Sequence, residues 1–137
     1  MSPISGKTDL ATLLTSMTPV KQEGEYVFCT VQASMAQCIA FDPIGLFQEA
    51  EGLTLILPRP SADAHHLPYG TIFSMITLSV HSSLDAVGFL ATITQALARE
   101  GISVNPVSAY YHDHLFVPVV QADTVLNCLH TLAQSGQ

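Results

Sequence analysis

Basic side chains are scarce in this sequence, and tryptophan is absent. Only 4 of the 137 residues are lysine or arginine, against 11 aspartates and glutamates, so the formal net charge is −7. The basic residues are scattered along the chain, at Lys7, Lys21, Arg59 and Arg99. Binding to a phosphate backbone needs a clustered basic face, so nucleic acid is a poor partner. The acidic balance favours cationic or zwitterionic small molecules as ligands.

Long apolar runs are also missing. No run reaches the roughly 18 to 20 residues that span a bilayer, and the amino terminus lacks a basic segment followed by an apolar stretch. We therefore expect a soluble, cytoplasmic protein without a membrane partner. Hydrophobic residues still make up 48% of the chain, which is enough to bury the core of one ordinary domain or of two very small ones that share it.

The cysteines are few and isolated. Cys29, Cys38 and Cys128 are odd in number, widely spaced and embedded in apolar sequence. That pattern matches neither a disulfide framework nor paired Cys-x-x-Cys zinc ligands. We interpret them as small buried hydrophobic side chains in a reducing compartment.

Apolar spacing predicts the elements of the first half. A one-sided helix is indicated near the amino terminus, ended by Pro19, because apolar residues recur at i, i+3, i+4 and i+7, at Leu10, Leu13, Leu14 and Met17. Residues 26–31 and 53–57 are β-prone runs bounded by glycine or proline. The segment 33–50 mixes helical and strand patterns and stays unassigned.

The second half reads as βαββα. A strand over residues 75–80 is followed by a helix that runs to about Glu100, with Gly101 as its left-handed C-cap. Ser82 and Asp85 have the spacing of a capping box at the start of that helix. Two strands follow, at 102–110 and 115–119, with a turn near His112 and a sheet edge or bulge predicted by Pro106. A final amphipathic helix carries an apolar stripe of Ala122, Val125, Leu126, Leu129, Leu132 and Ala133.

An internal repeat relates the two halves. LILPRPSAD at residues 55–63 aligns without a gap on LFVPVVQAD at residues 115–123, sharing Leu, Pro, Ala and Asp. We therefore predict two related units, at residues 1–70 and 71–137, divided near residues 68–73. The first unit is abbreviated, since it lacks a clear helix before its repeated strand. The second ends one strand short of βαββαβ, so its sheet is expected to borrow a strand from the other half.

The turn at residues 81–88, HSSLDAVG, is the first candidate site. It joins the carboxyl end of a strand to the start of a helix, where unpaired N–H groups and the helix dipole attract a carboxylate or a phosphate. An amino-acid carboxylate would suit it. The alternative is that Ser82 or Ser83 simply caps the helix.

His112, Asp113 and His114 form the second candidate. Two histidines at period two on a strand face the same way and could ligate zinc, but the triplet lies at a predicted turn and no third ligand has motif spacing. Asp113 could instead bind the amino or guanidinium group of a ligand. The sequence holds no phosphate loop, no Gly-x-Ser-x-Gly elbow and no His-Glu-x-x-His motif, so we predict no catalytic residue, metal or cofactor.

The second half, over residues 76–119, resembles an ACT domain, through Gly101-Ile102-Ser103-Val104, Ser108 and the run DHLFV at residues 113–117. The first half is similar to the divergent ACT-type unit of small uncharacterised bacterial proteins that carry two such units. The second half is also similar to the ACT units of aspartate kinases and of the CASTOR arginine sensors.

The resemblance implies an α+β fold, a ferredoxin-like βαββαβ sandwich in which two tandem units share antiparallel sheets with helices on one face. It implies a non-catalytic regulatory protein, a homodimer that binds an amino acid and acts on a separate partner. The family binds its ligands at the first strand-to-helix turn. Where the family often has Asn after Gly-Ile, this chain has Ser103, and its nearest asparagine is Asn105. The implied ligand-binding residues are Ser82, Ser83, Leu84, Asp85, Ala86, Val87, Gly88, Asn105, Ser108 and Asp113.

Two other functions remain open. One is an interaction or oligomerisation module without a ligand. The other is a metal-dependent enzyme that uses His112 and His114, against which the missing third ligand counts.

Overall fold

We describe the chain from a computed structural model, which covers residues 10–80 and 87–135. Its helices are α1 (Leu10–Ser16), α2 (Met35–Cys38), α3 (Arg59–Ala64), α4 (Phe89–Arg99) and α5 (Ala122–Ser135). Its strands are β1 (Thr18–Lys21), β2 (Tyr26–Val31), β3 (Gly45–Glu49), β4 (Gly52–Pro58), β5 (Phe73–Ser79), β6 (Asn105–Ser108) and β7 (Asp113–Pro118). Short 3₁₀ turns follow α2 and β7, at Ile39–Phe41 and Val119–Gln121.

The chain divides into two compact units, and one of them is inserted in sequence between the two segments of the other. The inserted unit is residues 23–74, and the split unit joins the segment up to residue 22 with the segment from residue 75 onward. In this division α1 and β1 belong to the split unit. No helix in residues 10–80 or 87–135 combines the length and the apolar character that crossing a bilayer requires.

The split unit is built on four strands. β1 pairs antiparallel with β5, from Thr18 opposite Ser79 to Lys21 opposite Ile76, while β7 lies beside β5 and β6 beside β7. The prediction that this sheet borrows a strand from the first half is confirmed, because β1 fills that place. Helices α1, α4 and α5 join alternate strand residues in one buried cluster, which includes Leu13, Leu14, Ile76, Leu78, Ile93, Leu97, Leu115, Val125 and Leu129.

The inserted unit repeats this plan with shorter helices and with strands of similar length. β4 lies between β2 and β3, and Tyr26 at the start of β2 pairs with Phe73 at the start of β5. Its own core holds Val27, Cys29, Cys38, Leu53, Leu55, Leu57 and Ala62, which confirms the buried setting of two cysteines. The helix in the unassigned segment is the four-residue α2, capped by Ser34, whose Oγ accepts from the Gln37 N–H at 3.2 Å.

The internal repeat is visible in the backbone. β4 and β7 both end at their shared proline, with φ −56° and ψ 135° at Pro58 and φ −54° and ψ 138° at Pro118. A helical segment starts directly after each proline. The repeated alanine is buried in both copies, at 0% exposure for Ala62 and 2% for Ala122. The two halves are therefore structural repeats as well as sequence repeats.

Two predicted boundaries need correction. α4 begins at Phe89 with Gly88 as its N-cap, which is later than a cap at Ser82 or Ser83 would place the helix start. The predicted capping-box residues Ser82 and Asp85 lie outside the described ranges. Gly88 has φ 87°, which a glycine adopts without the strain that a side chain would add. β6 spans only four residues, and its Pro106 lies at the sheet edge as predicted.

Candidate functional site

The predicted ligand turn connects β5 to α4. Its members Ser82, Ser83, Leu84, Asp85 and Ala86 lie outside the described residues. The other two members are described. Val87 is 83% exposed. Gly88 is the N-cap residue of α4, and its carbonyl oxygen accepts from the Thr92 N–H at 2.9 Å. The N–H groups at positions 89 to 91 have no partner within the helix, as at every helix start. Gly88 has no side chain to satisfy them.

The β6–β7 hairpin holds Ser108 and Asp113 together. The Ser108 hydroxyl donates to Asp113 Oδ1 at 2.6 Å, and the Ala109 N–H donates to the His112 carbonyl at 3.0 Å. Asp113 is only 9% exposed. One of its two carboxylate oxygens already accepts the hydrogen bond from Ser108 within the hairpin. Asn105 is exposed at the other end of β6, opposite Phe116, so the structure does not bring it to Ser108 and Asp113.

His114 ends a chain of polar side chains that crosses the sheet of the split unit. Gln22 Nε2 donates to Thr77 Oγ1 at 2.9 Å, and Thr77 Oγ1 lies 2.9 Å from His114 Nδ1. Burial lowers the pKa of His114, His112 lowers it further, and the Asp113 carboxylate partly opposes them. Sequence analysis missed Gln22 and Thr77. The available signal was Thr77 itself, a polar residue in an apolar strand.

His112 and His114 do lie close, with ring centroids 6.4 Å apart. The period-two prediction that they face the same way is thus supported. Across residues 10–80 and 87–135, however, no group of three or more His, Cys, Asp or Glu side chains is arranged to hold a metal ion.

A second polar cluster, also missed from the sequence, lies in the inserted unit. Arg59 Nη1 donates to Glu25 Oε1 at 2.8 Å, and its Nε donates to the Tyr69 hydroxyl at 3.1 Å. Tyr69 in turn donates to Asp63 Oδ1 at 2.6 Å. The hydrogen bonds to Glu25 and Tyr69 raise the pKa of the Arg59 guanidinium. The cluster borders an open cleft of about 850 Å³ lined by Glu23, Gly24, Glu25, Tyr26, Pro58, Arg59, Pro60, Asp63 and Ala64.

Comparison with known protein families gives two matches, each described as an ACT domain, over residues 5–74 and 72–131. Among solved structures, a Vibrio cholerae protein of unknown function, described as a possible transport protein, is 44% identical. Its TM-score is 0.84, and the alignment covers 90% of this chain and 95% of that one. No curated protein matches the sequence.

More distant structures share the fold. An Agrobacterium tumefaciens protein is 18% identical with a TM-score of 0.69, over 85% of this chain and 89% of its own. The ligand-free regulatory subunit of aspartate kinase from Thermus thermophilus is 9% identical with a TM-score of 0.62, over 83% of this chain and 95% of its own. These likenesses confirm the predicted α+β, ferredoxin-like fold with tandem units.

Proposed function

Since the chain belongs to the ACT domain family, with two tandem ACT domains, we propose that it is a regulatory or sensor protein that binds an amino acid. ACT domains typically bind small molecules for regulation. The regulatory subunit from Thermus thermophilus carries the same fold, which supports a non-catalytic role. The protein works in the cytoplasm as a homodimer. It acts on a separate partner protein.

The ligand binds at the turn before α4, which comprises residues 82–88. The observation that carries this proposal is the start of α4, where the Gly88 cap has no side chain to meet the first N–H groups of an eleven-residue helix. Those groups and the helix dipole attract the ligand's carboxylate. Val87 is 83% exposed beside them and offers apolar contact.

Carboxylates meet the ligand's ammonium group. Asp85 belongs to the predicted ligand segment and is the first choice. Asp113 is the second, held in place by the Ser108 hydroxyl, because a buried carboxylate forms strong charge-assisted hydrogen bonds.

A thermal-shift screen against the twenty amino acids tests this function. We expect one or two of them to raise the melting temperature in a saturable way, because a ligand that binds only the folded state stabilises it by mass action. Asp85→Ala should abolish the shift. Asp123→Ala, which removes an exposed carboxylate from the first turn of α5, should keep it.

Asp113 needs its own control because it also holds the hairpin. Ser108→Ala removes the same 2.6 Å hydrogen bond and leaves the carboxylate in place. If Asp113→Ala abolishes the shift and Ser108→Ala does not, Asp113 contacts the ligand. A wild-type protein that no amino acid stabilises would contradict the proposed function and favour an interaction module without a ligand.

A further inference from the structure

The open cleft of the inserted unit lies at one end of the unit's sheet. β2 begins there at Tyr26, and β4 ends there at Pro58, directly opposite. The connection from β2 to α2 follows Val31, at the other end of the same strand. The cleft is therefore separate from the strand-to-helix turn of this unit. Its volume of about 850 Å³ is within the range of small-molecule sites.

Arg59 is the one basic side chain among the described residues that line this cleft, and neighbouring carboxylates neutralise it. Its Nη1 donates to Glu25 Oε1 at 2.8 Å, and its Nε lies 3.8 Å from Asp63 Oδ2. The Arg59 backbone N–H also donates to the Glu25 carbonyl oxygen at 2.9 Å, which ties the ion pair to the start of β2. A guanidinium held between two carboxylates offers little net attraction to an anionic ligand.

The lining of the cleft carries an excess of negative charge. Glu23, Glu25 and Asp63 supply three carboxylates against one guanidinium, so the formal charge is −2. Within residues 10–80 and 87–135, no lysine or arginine forms an ion pair with Glu23. The side chains of Glu25 and Asp63 are 42% and 56% exposed, so both remain accessible to a ligand. The three carboxylates do not form a group that could hold a metal ion, so their charge favours an organic dication.

The rest of the lining suits the carbon chain of such a ligand. It is largely apolar and includes Tyr26, Pro58, Pro60 and Ala64. We propose that the cleft binds an aliphatic diamine. The two ammonium groups form charge-assisted hydrogen bonds with the carboxylates of the cleft, and the methylene chain lies against the prolines. Because Arg59 occupies Oε1 of Glu25, the other oxygen of that carboxylate accepts from the ligand.

Isothermal titration calorimetry of the full chain with 1,4-diaminobutane tests the site. We expect saturable binding of one molecule per chain. The affinity should fall as the salt concentration rises from about 0.05 to 0.5 M, because salt screens exposed ion pairs. 1-Aminobutane lacks the second ammonium group and should bind about two- to fivefold more weakly, which is the usual effect of one exposed ion pair. Disodium succinate, a dianion of similar length, should not bind.

Amide substitutions remove each negative charge and keep a hydrogen-bond acceptor. Glu25→Gln can still accept from Arg59 Nη1, and Asp63→Asn can still accept from the Tyr69 hydroxyl. Glu23→Gln removes a carboxylate without breaking an ion pair of the described residues. Each single variant should weaken binding of 1,4-diaminobutane about two- to fivefold. The triple variant should show no measurable binding, with a circular dichroism spectrum like that of the wild type.

Glu51→Gln is the matched control. It makes the same charge change in the turn between β3 and β4, about 17 Å from Tyr26 along the sheet at roughly 3.3 Å per residue. That distance exceeds the Debye length of about 8 Å at physiological salt, so this variant should keep the wild-type affinity. A wild type that does not bind the diamine, equal binding of succinate, or an equal loss of affinity in Glu51→Gln and Glu23→Gln would each overturn the proposal.

The diamine site does not depend on the amino-acid site. The triple variant should keep any thermal shift that an amino acid causes in the wild type. Asp85→Ala should keep the binding of 1,4-diaminobutane. The two proposals therefore fail independently.

Discussion

His114 is half-buried against Thr77, and the fold favours its neutral form. Burial, followed by the charge of His112, lowers its pKa below the ordinary value of 6.5. The unfolded chain therefore takes up a proton at a higher pH than the folded protein does. This contribution to stability is complete above pH 6.5 and is lost as the pH falls below it.

Urea unfolding at pH 7.5, 6.5 and 5.5 measures this effect. We expect the free energy of unfolding of wild-type protein to fall more steeply below pH 6.5 than that of His114→Gln, which removes the titrating ring. His130→Gln, at an exposed histidine of α5, should follow the wild type. Equal slopes for wild type and His114→Gln would show that His114 titrates alike in both states.

The polar side chains around His114 show which contacts could not be predicted from the sequence. Gln22 and Thr77 are 55 positions apart, and Thr77 and His114 are 37 apart. Their contact depends on how strands lie side by side, which local spacing does not encode. The Arg59, Glu25 and Tyr69 cluster was missed for the same reason. Ser108 and Asp113 are only five positions apart across a predicted turn, and both were named as ligand-binding candidates, which stays a prediction.

Gly101 ends α4 in a conformation that glycine favours. It has φ 74°, and a Cβ built there would meet no atom within 4 Å, so backbone strain is the only cost of a side chain. We expect Gly101→Ala to lower the free energy of unfolding by about 1 kcal/mol. Gly70→Ala is the matched control, since its Cβ would also meet open space but its φ lies outside the left-handed region. Chemical denaturation of both variants measures the difference, and equal stabilities would contradict the strain argument.

Elements with a full apolar period were predicted well. β2, β4, β5, α4 and α5 each span enough residues for period two or 3.6 to appear, and the buried residues of α5 belong to its predicted apolar stripe. β1, α2 and β3 have four or five residues each and were not assigned. Pro19 was interpreted as the end of a helix, but it lies inside β1, opposite Leu78. For such short elements, tertiary pairing decides the conformation.

At the scale of the whole molecule, the interleaving of the two units was only half predicted. The repeat located both units, and the missing last strand correctly indicated a borrowed one. Proximity in sequence then suggested that α1 belongs with β2 and β4. In the structure, Leu13, Leu14 and Met17 are buried with α4 and α5, whereas β2 and β4 enclose a separate cluster.

Hydrogen exchange of two matched variants tests this division. Leu14 and Leu55 are both fully buried, each in a different cluster, so either leucine-to-alanine change should cost about 2–5 kcal/mol. Leu14→Ala should speed amide exchange in β7 and α5, which lie 99 to 121 positions away in sequence, before it affects β2 and β4. Leu55→Ala should show the opposite pattern. If Leu14→Ala instead loosened β2 and β4 first, the division at residue 70 would describe the protein better, since α1 would then stabilise the half of the chain in which it is encoded.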